Sequence, residues 1–369
     1  MLIFWILLGF GFLVILQRAI YNVRWNKKIS VTFRFSKRAV TEGESAELFE
    51  RSENRKLLPL PVFGYSYTLS RSFASVSKSK EKTITMQRRF ALPGRHAVTN
   101  RATIGGLSRG IYCVDVVTAN ATDLFHLIHL ECAIPFSATR LTVYPAKIPV
   151  QRFSFPARLI LGSVTTRRRA QEDPFALRSI RPYEIYDSPK IINWKASAKT
   201  GELKVNQFEY TTDESLLFLL DMGSGSFDDR EELIRLASSL SLFFLRRGVS
   251  VSLMANCRDC IIGRPIRVPP GADAGHQITV DETLALIKLT IPVTESFRDF
   301  LAGVPHEALK HSLAVVLSAD PTGDARAAFL DTPGIRDGYY VSVQKDGDVK
   351  AESRLQLEIL DTSAKEVRL

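Results

Sequence analysis

Hydrophobic and polar positions change their pattern along the chain. Residues 1–16 read MLIFWILLGFGFLVIL and carry no charged side chain. Short alternating apolar runs follow from residue 29, and continuous apolar runs alternate with segments of helical spacing from residue 216. These patterns predict an α+β multidomain chain, with a transmembrane anchor over residues 1–25, a β domain over 29–149, a connecting segment over 150–215 and an α/β domain over 216–369.

The uncharged N-terminal run predicts a transmembrane helix. Residues 1–16 cover about 24 Å as a helix, somewhat less than a hydrocarbon core of about 30 Å. Gln17 and the interfacial residues Tyr21 and Trp25 would extend the span, while the Arg18 side chain snorkels toward water. A cleaved signal peptide is the alternative, but the run lacks a basic flank before it and a small-residue cleavage site after it. We therefore expect an uncleaved, single-pass anchor.

Charge sets the expected orientation of this anchor. The net charge is +10, from 49 basic and 39 acidic residues. Four of the basic residues follow the apolar run directly: Arg18, Arg24, Lys27 and Lys28. The positive-inside rule then places the N-terminus outside and the bulk of the chain in the cytosol, and the same charges favour an anionic lipid surface as a partner.

Cysteine usage and the remaining basic residues exclude some other classes. Four cysteines are too few and too scattered for a disulfide framework, which fits the cytosol. Cys257 and Cys260 form a lone CxxC with no second pair for zinc, and the following IIGRPIRVPP predicts strand and turn rather than the helix of a redox motif. The basic run over residues 167–169 has no interleaved aromatics and lies beside acidic residues, so no nucleic-acid partner is expected.

Residues 29–149 predict a β-sandwich domain. In VTFRF, the apolar residues Val31, Phe33 and Phe35 recur with the period of a half-buried strand. Turn signals such as Pro93-Gly94 and Gly105-Gly106 separate further short runs, including KTITMQRRF and IYCVDVV. Short strands at this spacing are typical of a sandwich. The stretch YPAKIPVQRFSFP, residues 144–156, is interpreted as the linker that follows.

Residues 216–369 have the pattern of an α/β domain. LLFLLD, residues 216–221, predicts a strand buried on both faces, and DDREELIRLASSLSLFFLRRG after it predicts a helix. VSVSLMAN and SLAVVLSAD predict two further buried strands, residues 280–291 a second helix, and YYVSVQKDGDV a late strand with a hairpin turn. Strand–helix–strand order implies a mostly parallel sheet.

The segment between these regions carries the most specific motif. It reads FALRSIRPYEIYDSPKIINWKASAKTGELKVNQFEY, residues 175–210. It resembles the signature of the DUF58 family, and departs from it at Tyr186, where many members have glycine. The residues that carry the resemblance are Arg181, Tyr183, Asp187, Ile192, Asn193, Trp194, Lys195, Ala196, Ser197, Ala198, Lys199, Thr200, Gly201, Leu203, Val205, Phe208 and Glu209. The resemblance implies a von Willebrand A-like fold for the C-terminal domain and a MoxR-type AAA+ ATPase as protein partner.

Two interpretations of the signature remain open. Arg181, Asp187, Lys195 and Lys199, beside Tyr183 and Trp194, could form a desolvated cluster of ion pairs and cation–π contacts. Such a cluster is either a surface that recognises a partner or a clasp that fastens the segment to the sheet. The clasp interpretation predicts that Trp194 is buried.

The resemblance also implies a Mg²⁺ site after the first strand of the α/β domain, where related domains have D-x-S-x-S. Here the strand ends in Asp221, the hydroxyl positions 223 and 225 are glycine, and Ser224 and Ser226 are each displaced by one residue. Asp320 would supply a second carboxylate, and a hard cation needs such oxygen ligands. Ser226 also fits a capping box with Asp229 that needs no metal. Binding of Mg²⁺ is therefore expected to be weak or absent.

The sequence offers little support for catalysis. It contains neither a G-x-S-x-G elbow nor a G-x-x-x-x-G-K-[ST] phosphate loop. We expect a non-enzymatic, membrane-anchored adaptor that binds proteins through its C-terminal domain. The alternative is a metal- or phosphate-dependent hydrolase that uses Asp221, Ser224 and Asp320.

The first prediction concerns topology. Protease added outside intact cells or spheroplasts should spare the chain beyond residue 25. The basic residues that follow the span orient it so that this part of the chain lies in the cytosol. Cys257 and Cys260 should remain reduced. Efficient digestion from outside, or recovery of a mature chain that lacks its first residues, would contradict this orientation.

Overall fold

A computed structural model describes residues 2–71, 84–137, 139–170, 172–184, 187–210, 215–293, 295–310, 312–335, 338–343 and 349–353. The fold is α+β, with mixed sheets and an apolar N-terminal helix. The chain divides into two compact units. The first contains Met1–Ala146, Asp259–Gly263 and Leu284–Ile291, and the second contains Lys147–Arg258, Arg264–Thr283 and Pro292–Leu369.

The first unit contains one helix and two sheets. Its elements are α1 (Leu2–Arg24), β1 (Ile29–Phe35), β2 (Ala39–Thr41), β3 (Ala46–Asn54), β4 (Leu60–Arg71), β5 (Ile84–Leu92), β6 (Ala97–Ile104), β7 (Gly110–Thr122), β8 (His129–Ala133), β9 (Phe136–Ser137) and β10 (Arg140–Tyr144). One sheet has the strand order β6-β3-β1-β9; the other has the order β2-β10-β7-β4-β5, with β8 paired to β7. The short strands predicted from VTFRF onward are therefore present.

Apolar residues at every second position of the strands form the core of this unit. Val31, Phe33 and Phe35 of β1 are buried, as their period predicts. The Phe33 ring lies 6.3 Å from that of Tyr65 and 4.8 Å from that of Tyr67, both on β4 of the other sheet. The two sheets thus share one apolar cluster.

A buried carboxylate also joins the two sheets. Glu50 of β3 is fully buried and accepts hydrogen bonds from the hydroxyls of Tyr65 (2.5 Å) and Tyr67 (2.7 Å) on β4. Arg88 of β5 donates to it through Nε (3.1 Å) and Nη2 (3.2 Å). Burial and the hydrogen bonds to Glu50 raise the pKa of both tyrosines, so the hydroxyls stay protonated as donors. The charge of Glu50 is therefore matched by donors from two neighbouring strands.

The C-terminal turns of α1 pack into this same core. Tyr21 and Trp25 are 1% and 4% exposed, and the Tyr21 hydroxyl donates to the Pro59 carbonyl at 2.7 Å. The Gln17 amide donates to the carboxylate of Asp123. The prediction that Tyr21 and Trp25 are interfacial membrane residues and that Gln17 extends the span was wrong, because protein atoms cover all three. By length and composition, α1 remains apolar enough over Ile3–Arg24 to cross a membrane.

The second unit is built around a mixed sheet of six strands, called the large sheet to distinguish it from a separate two-stranded pair. Its elements are α2 (Ser154–Ala170), β11 (Glu172–Pro182), α3 (Trp194–Thr200), β12 (Lys204–Tyr210), β13 (Ser215–Leu220), α4 (Phe227–Leu245), β14 (Ser250–Arg258), β15 (Pro265–Gly271), α5 (His276–Ala285), α6 (Phe297–Ala302), α7 (His306–Lys310), β16 (Ser312–Ser318), α8 (Asp324–Asp331), β17 (Gly338–Val343) and β18 (Val349–Ser353). The large sheet has the order β15-β14-β13-β16-β17-β18, while β11 and β12 form a separate antiparallel pair.

The central strands of the large sheet are parallel and covered on both faces. β13 pairs in parallel with β14 and β16, and β16 pairs in parallel with β17, whereas the edge strands β15 and β18 are antiparallel. Leu217 and Leu219 of β13 face a cluster with α6, α7 and α8. Phe218, on the opposite face, contacts Phe244 of α4 at 6.3 Å between ring centroids. The predicted buried strands and mostly parallel pairing are confirmed.

Several boundaries and helices differ from the predictions. Residues 144–156 were interpreted as a linker, yet α2 begins within them and buries Ala157, Ile160 and Val164. The second helix was placed at residues 280–291, but α5 spans His276–Ala285. The short helices α6, α7 and α8 were not predicted. The late strand pair β17 and β18 is present, and the hairpin turn between them lies outside the described residues.

We predict that Glu50→Ala lowers the free energy of unfolding by about 1–3 kcal/mol for each of the two buried tyrosine hydroxyls that loses its acceptor, while the partly exposed Arg88 guanidinium can turn to water. Urea denaturation of the full-length chain in detergent, followed by near-UV circular dichroism, measures the change. The control is Glu47→Ala on the same strand, where the carboxylate pairs with Arg101 at the surface and the expected loss is below about 1 kcal/mol. Equal losses in the two variants would contradict a special role for Glu50.

Candidate functional site

A cleft opens at the carboxyl ends of the central parallel strands. In chain order, the large sheet runs third, second, first, fourth, fifth and sixth strand, so its order reverses between β13 and β16. Ligands of open α/β sheets bind at such a switch point. The cleft has a volume of about 760 Å³. Its lining residues are Asp221, Gly223, Ser224, Arg230, Asn256, Pro292, Val293, Glu295, Ser296, Phe297, Arg298, Asp324 and Ala325.

Asp221 forms the floor of the cleft and is fully buried. Its Oδ1 accepts hydrogen bonds from the backbone N–H of Gly223 (3.0 Å) and from Nδ2 of Asn256 (3.2 Å). Its Oδ2 accepts from the Ser318 hydroxyl at 2.9 Å. The Asn256 amide is oriented by the Met222 backbone N–H, which donates to Oδ1 of Asn256 at 2.7 Å. This carboxylate therefore links the ends of β13, β14 and β16.

These residues do not fit the Mg²⁺ site that the resemblance implies. Both oxygens of Asp221 face hydrogen-bond donors, and Asn256 presents Nδ2 rather than an oxygen ligand. A Cβ at position 225 would lie 2.8 Å from Cβ of Ala319, and Gly225 has φ +82°, so a serine is not accommodated there. Among the described residues, no group of three or more His, Cys, Asp or Glu side chains could hold a metal ion.

Two other predicted metal ligands, Ser226 and Asp320, cap the starts of helices. Ser226 accepts from the Asp229 backbone N–H at 3.2 Å and donates to its carboxylate at 2.7 Å, which confirms the predicted capping box at the start of α4. Asp320 accepts from the Thr322 hydroxyl (2.6 Å) and from the Ala325 backbone N–H (2.7 Å) at the start of α8. Burial opposes the ionisation of Asp320, but these hydrogen bonds outweigh it and lower its pKa.

Asp320 does not line the cleft with Asp221 and Ser224. It is linked to Asp221 through Ser318, whose hydroxyl accepts from the Asp320 backbone N–H (3.1 Å) and donates to Asp221. Ser226 is also outside the lining.

The walls of the cleft carry charges of both signs that no sequence motif predicts. Arg230 donates to the backbone carbonyls of Met222 (3.2 Å) and Ser226 (3.3 Å). Arg298 pairs with Asp331 at 2.6 Å, and both side chains are more than half exposed. Glu295 is exposed on the loop before α6. Asn256 ends a predicted buried strand and could have been found from that position, whereas the loop with Glu295 carries no comparable sequence signal.

In the signature segment, several of the matched residues organise the backbone. The Asn193 side chain accepts from the Ala196 backbone N–H (2.9 Å) and caps α3, and the buried Ser197 hydroxyl accepts from the Lys204 backbone N–H (2.9 Å). Gly201 ends the helix with φ +76°. The Arg181 guanidinium donates to both oxygens of Asp187 (2.7 and 2.6 Å) and, with the Glu184 backbone N–H, lowers the pKa of that carboxyl.

Other matched residues point outward. Trp194 is 67% exposed, and Lys195 and Lys199 are also exposed. The clasp interpretation predicted that Trp194 is buried, and this prediction was wrong. The two lysines do not join a desolvated cluster. Tyr183 is half-buried and is held through its backbone N–H, which donates to the Leu203 carbonyl at 2.9 Å. Glu209 lies on β12, but its side chain lies outside the described residues.

Comparisons with known proteins leave the family open. No protein-family model and no curated protein matches the chain. Among solved structures, the CARDB domain of a Pyrococcus furiosus protein in complex with di-metal ions is 10% identical, with 31% of this chain and 86% of that chain covered and a TM-score of 0.22.

Two further solved structures are equally distant. A protein described as ApaA from Bordetella pertussis is 14% identical, with 31% and 91% of the two chains covered and a TM-score of 0.23. The sporulation control protein Spo0M of Bacillus subtilis is 12% identical, with 42% and 58% covered and a TM-score of 0.20. Similarities this weak identify neither a fold family nor a function.

We predict that Asp221→Ala destabilises the protein, by about 1–3 kcal/mol for each buried donor that loses its acceptor. The control, Asp324→Ala, removes an exposed carboxylate from the same cleft and should cost below about 1 kcal/mol. Thermal unfolding of the full-length chain in detergent compares the two variants. A loss no larger for Asp221→Ala than for Asp324→Ala would contradict the proposed linking of the strands.

Calorimetric titration of the same wild-type preparation with Mg²⁺ should show no saturable binding, because hydrogen-bond donors already occupy both oxygens of Asp221. Saturable binding at micromolar Mg²⁺ would show that the carboxylate exchanges these donors for the cation.

Proposed function

We propose that this chain is a membrane-anchored adaptor of the DUF58 type, which binds proteins and catalyses no reaction of its own. In this proposal, α1 spans the membrane with the N-terminus outside, the first unit is a β-sandwich, and the second unit is a von Willebrand A-like domain in the cytosol. The partner is a MoxR-type AAA+ ATPase, and the complex works in the assembly or remodelling of other proteins. The assignment of family and partner rests on the resemblance of residues 178–221.

Two features of the fold support the proposed architecture. The six-stranded sheet, with its doubly wound order and helices on both faces, has the arrangement expected of a von Willebrand A-like domain. The two sheets of the first unit bury one shared apolar cluster, as the sheets of a sandwich do.

The exposed Trp194 is the observation that carries the proposal. Its side chain contributes little to a folded core, since 67% of it is accessible. The helix on which it stands is nevertheless fixed by the contacts of Asn193 and Ser197 and by Gly201. A tryptophan on an ordered surface is typical of the residues that dominate protein interfaces, and Lys195 and Lys199 add positive charge beside it. The signature thus combines an internal scaffold with an outward contact surface.

Binding of a small molecule in the cleft over Asp221 is a second candidate function. Its volume of about 760 Å³ is that of a small-molecule site, and Ser224, Arg230 and Glu295 supply converging polar groups. A hydrolase would need Asp221 as a base or metal ligand, and its existing hydrogen bonds oppose both roles. Turnover of a phosphate ester or peptide by the purified chain, lost in Ser224→Ala, would establish this candidate in place of the adaptor.

We predict that Trp194→Ala weakens binding to a purified MoxR-type ATPase by about 30-fold or more, the effect of removing an interface hot spot of about 2 kcal/mol. Because the side chain is exposed, the free energy of unfolding, measured by thermal denaturation, should change by no more than about 0.5 kcal/mol. Sedimentation of the full-length chain in nanodiscs with the ATPase measures the affinity. The matched control is Ile278→Ala, which shortens a 52% exposed side chain on α5 and should leave binding unchanged.

The cleft rim is tested with Glu295→Lys against Glu307→Lys, an exposed glutamate on α7 outside the cleft lining. If the ATPase docks over the cleft as well, only Glu295→Lys weakens the complex. Asp221→Lys and Asp320→Lys do not suit this test, because the first would bury a cation among strand ends and the second would uncap α8. No association between the ATPase and the wild-type chain would refute the partner assignment.

A further inference from the structure

One loop of the first unit exposes a cluster of large apolar side chains. Leu124, Phe125 and Leu127, between β7 and β8, are 48%, 40% and 60% exposed. The loop is held in shape by Asp123, which is fully buried and accepts from the backbone N–H groups of Leu127 (2.7 Å) and Ile128 (3.1 Å). The apolar side chains therefore project from an ordered backbone. We call residues 124–127 the apolar loop.

The apolar loop lies directly against α1. The ring of Phe125 contacts that of Phe10, with centroids 5.9 Å apart. The Gln17 amide of α1 binds the carboxylate of Asp123, at the base of the same loop. These two contacts align the loop with the segment of α1 between residues 10 and 17.

This alignment sets the level of the loop relative to the apolar span. Leu16 is the last residue of the apolar run, and Phe10 precedes it by six residues, which corresponds to about 9 Å along a helix. Interfacial segments of membrane proteins insert their apolar faces to about 5–10 Å. If α1 spans a bilayer, the apolar loop must therefore lie at the depth of such a segment.

The apolar surface of α1 continues past the level of the loop. Beyond Leu16, the helix still exposes Ile20 (40%) and Val23 (59%), whereas Gln17 is covered by protein. If α1 spans a bilayer, this surface faces lipid, and the apolar loop beside residues 10–17 of the helix must meet the same leaflet. Exposed basic residues follow toward the cytosolic end of the helix: Arg18, Arg24, Lys27 and Lys28.

We infer that the apolar loop inserts into the membrane leaflet beside α1 and forms a second membrane contact of the first unit. Leu124, Phe125 and Leu127 enter the boundary between headgroups and acyl chains, and the basic residues after the span contact anionic headgroups. This inference rests on the membrane anchoring in the proposed function and is independent of the ATPase partner and of the cleft.

The experiment measures the depth of spin labels in vesicles of phosphatidylcholine and phosphatidylglycerol. The full-length chain, with its four cysteines replaced by serine, carries a single label at Leu127→Cys or, in a second variant, Leu124→Cys. Leu7→Cys reports insertion of α1. Ser45→Cys is the aqueous control, because Ser45 is exposed and precedes β3 at the end of the β1–β3 pair farthest from α1. Relaxation by oxygen, which enriches in lipid, is compared with relaxation by a water-soluble nickel chelate.

Labels at positions 124 and 127 should be relaxed by oxygen and protected from the nickel reagent, at a depth of about 5–10 Å, whereas the label at position 45 responds as in water. A lipid response at position 7 together with an aqueous response at 124 and 127 overturns the inference and leaves the anchoring intact. Aqueous responses at all four positions overturn the inference and the anchoring together. Labels at 124 and 127 shielded from both reagents would show contact with another protein copy, which also overturns it.

Discussion

The carboxylate of Asp221 is the interaction on which the second unit depends. β13 places it at the sheet end, where water is excluded, and its charge is compensated by Gly223 of the following turn, Asn256 of β14 and Ser318 of β16. An unpaired carboxylate at that position would be strongly destabilising, so the three donors and the carboxylate require one another. Because β13, β14 and β16 meet at this point, one residue determines how their carboxyl ends align. The cleft above them is a consequence of that alignment.

The contacts of Asp221 leave little room for a cation. A hard cation needs free oxygen ligands. In this chain residues 223 and 225 are glycines, and backbone, amide and hydroxyl hydrogens bind the two oxygens of Asp221. Ser226 and Asp320, two of the other carboxylate and hydroxyl candidates, each cap a helix.

Periodicity predicted those parts of the fold in which burial and local structure agree. The fully apolar LLFLLD became β13, and the helical spacing of Leu233, Leu236 and Leu240 became α4. Short elements escaped prediction because tertiary contacts, rather than their own sequence, determine them: α6 is six residues long and α7 is five. α2 carried a usable signal at Ala157, Ile160 and Val164, which prolines on its N-terminal side obscured. Candidate residues were placed by motif, but the contacts of Asp221 and the exposure of Trp194 depend on neighbours distant in sequence.

The burial of Tyr21 and Trp25 makes α1 part of the fold of the first unit as well as a candidate membrane span. A flexible tether raises the local concentration of a domain and leaves its folding alone, whereas the last turns of α1 contribute two aromatic side chains to the core of the first unit. The first unit can complete its core only when the helix is present. A chain cut within α1 would lose the apolar span and part of its core together. Proteolysis within α1 would then yield a destabilised chain that is a substrate for cellular degradation, rather than a folded fragment without the span.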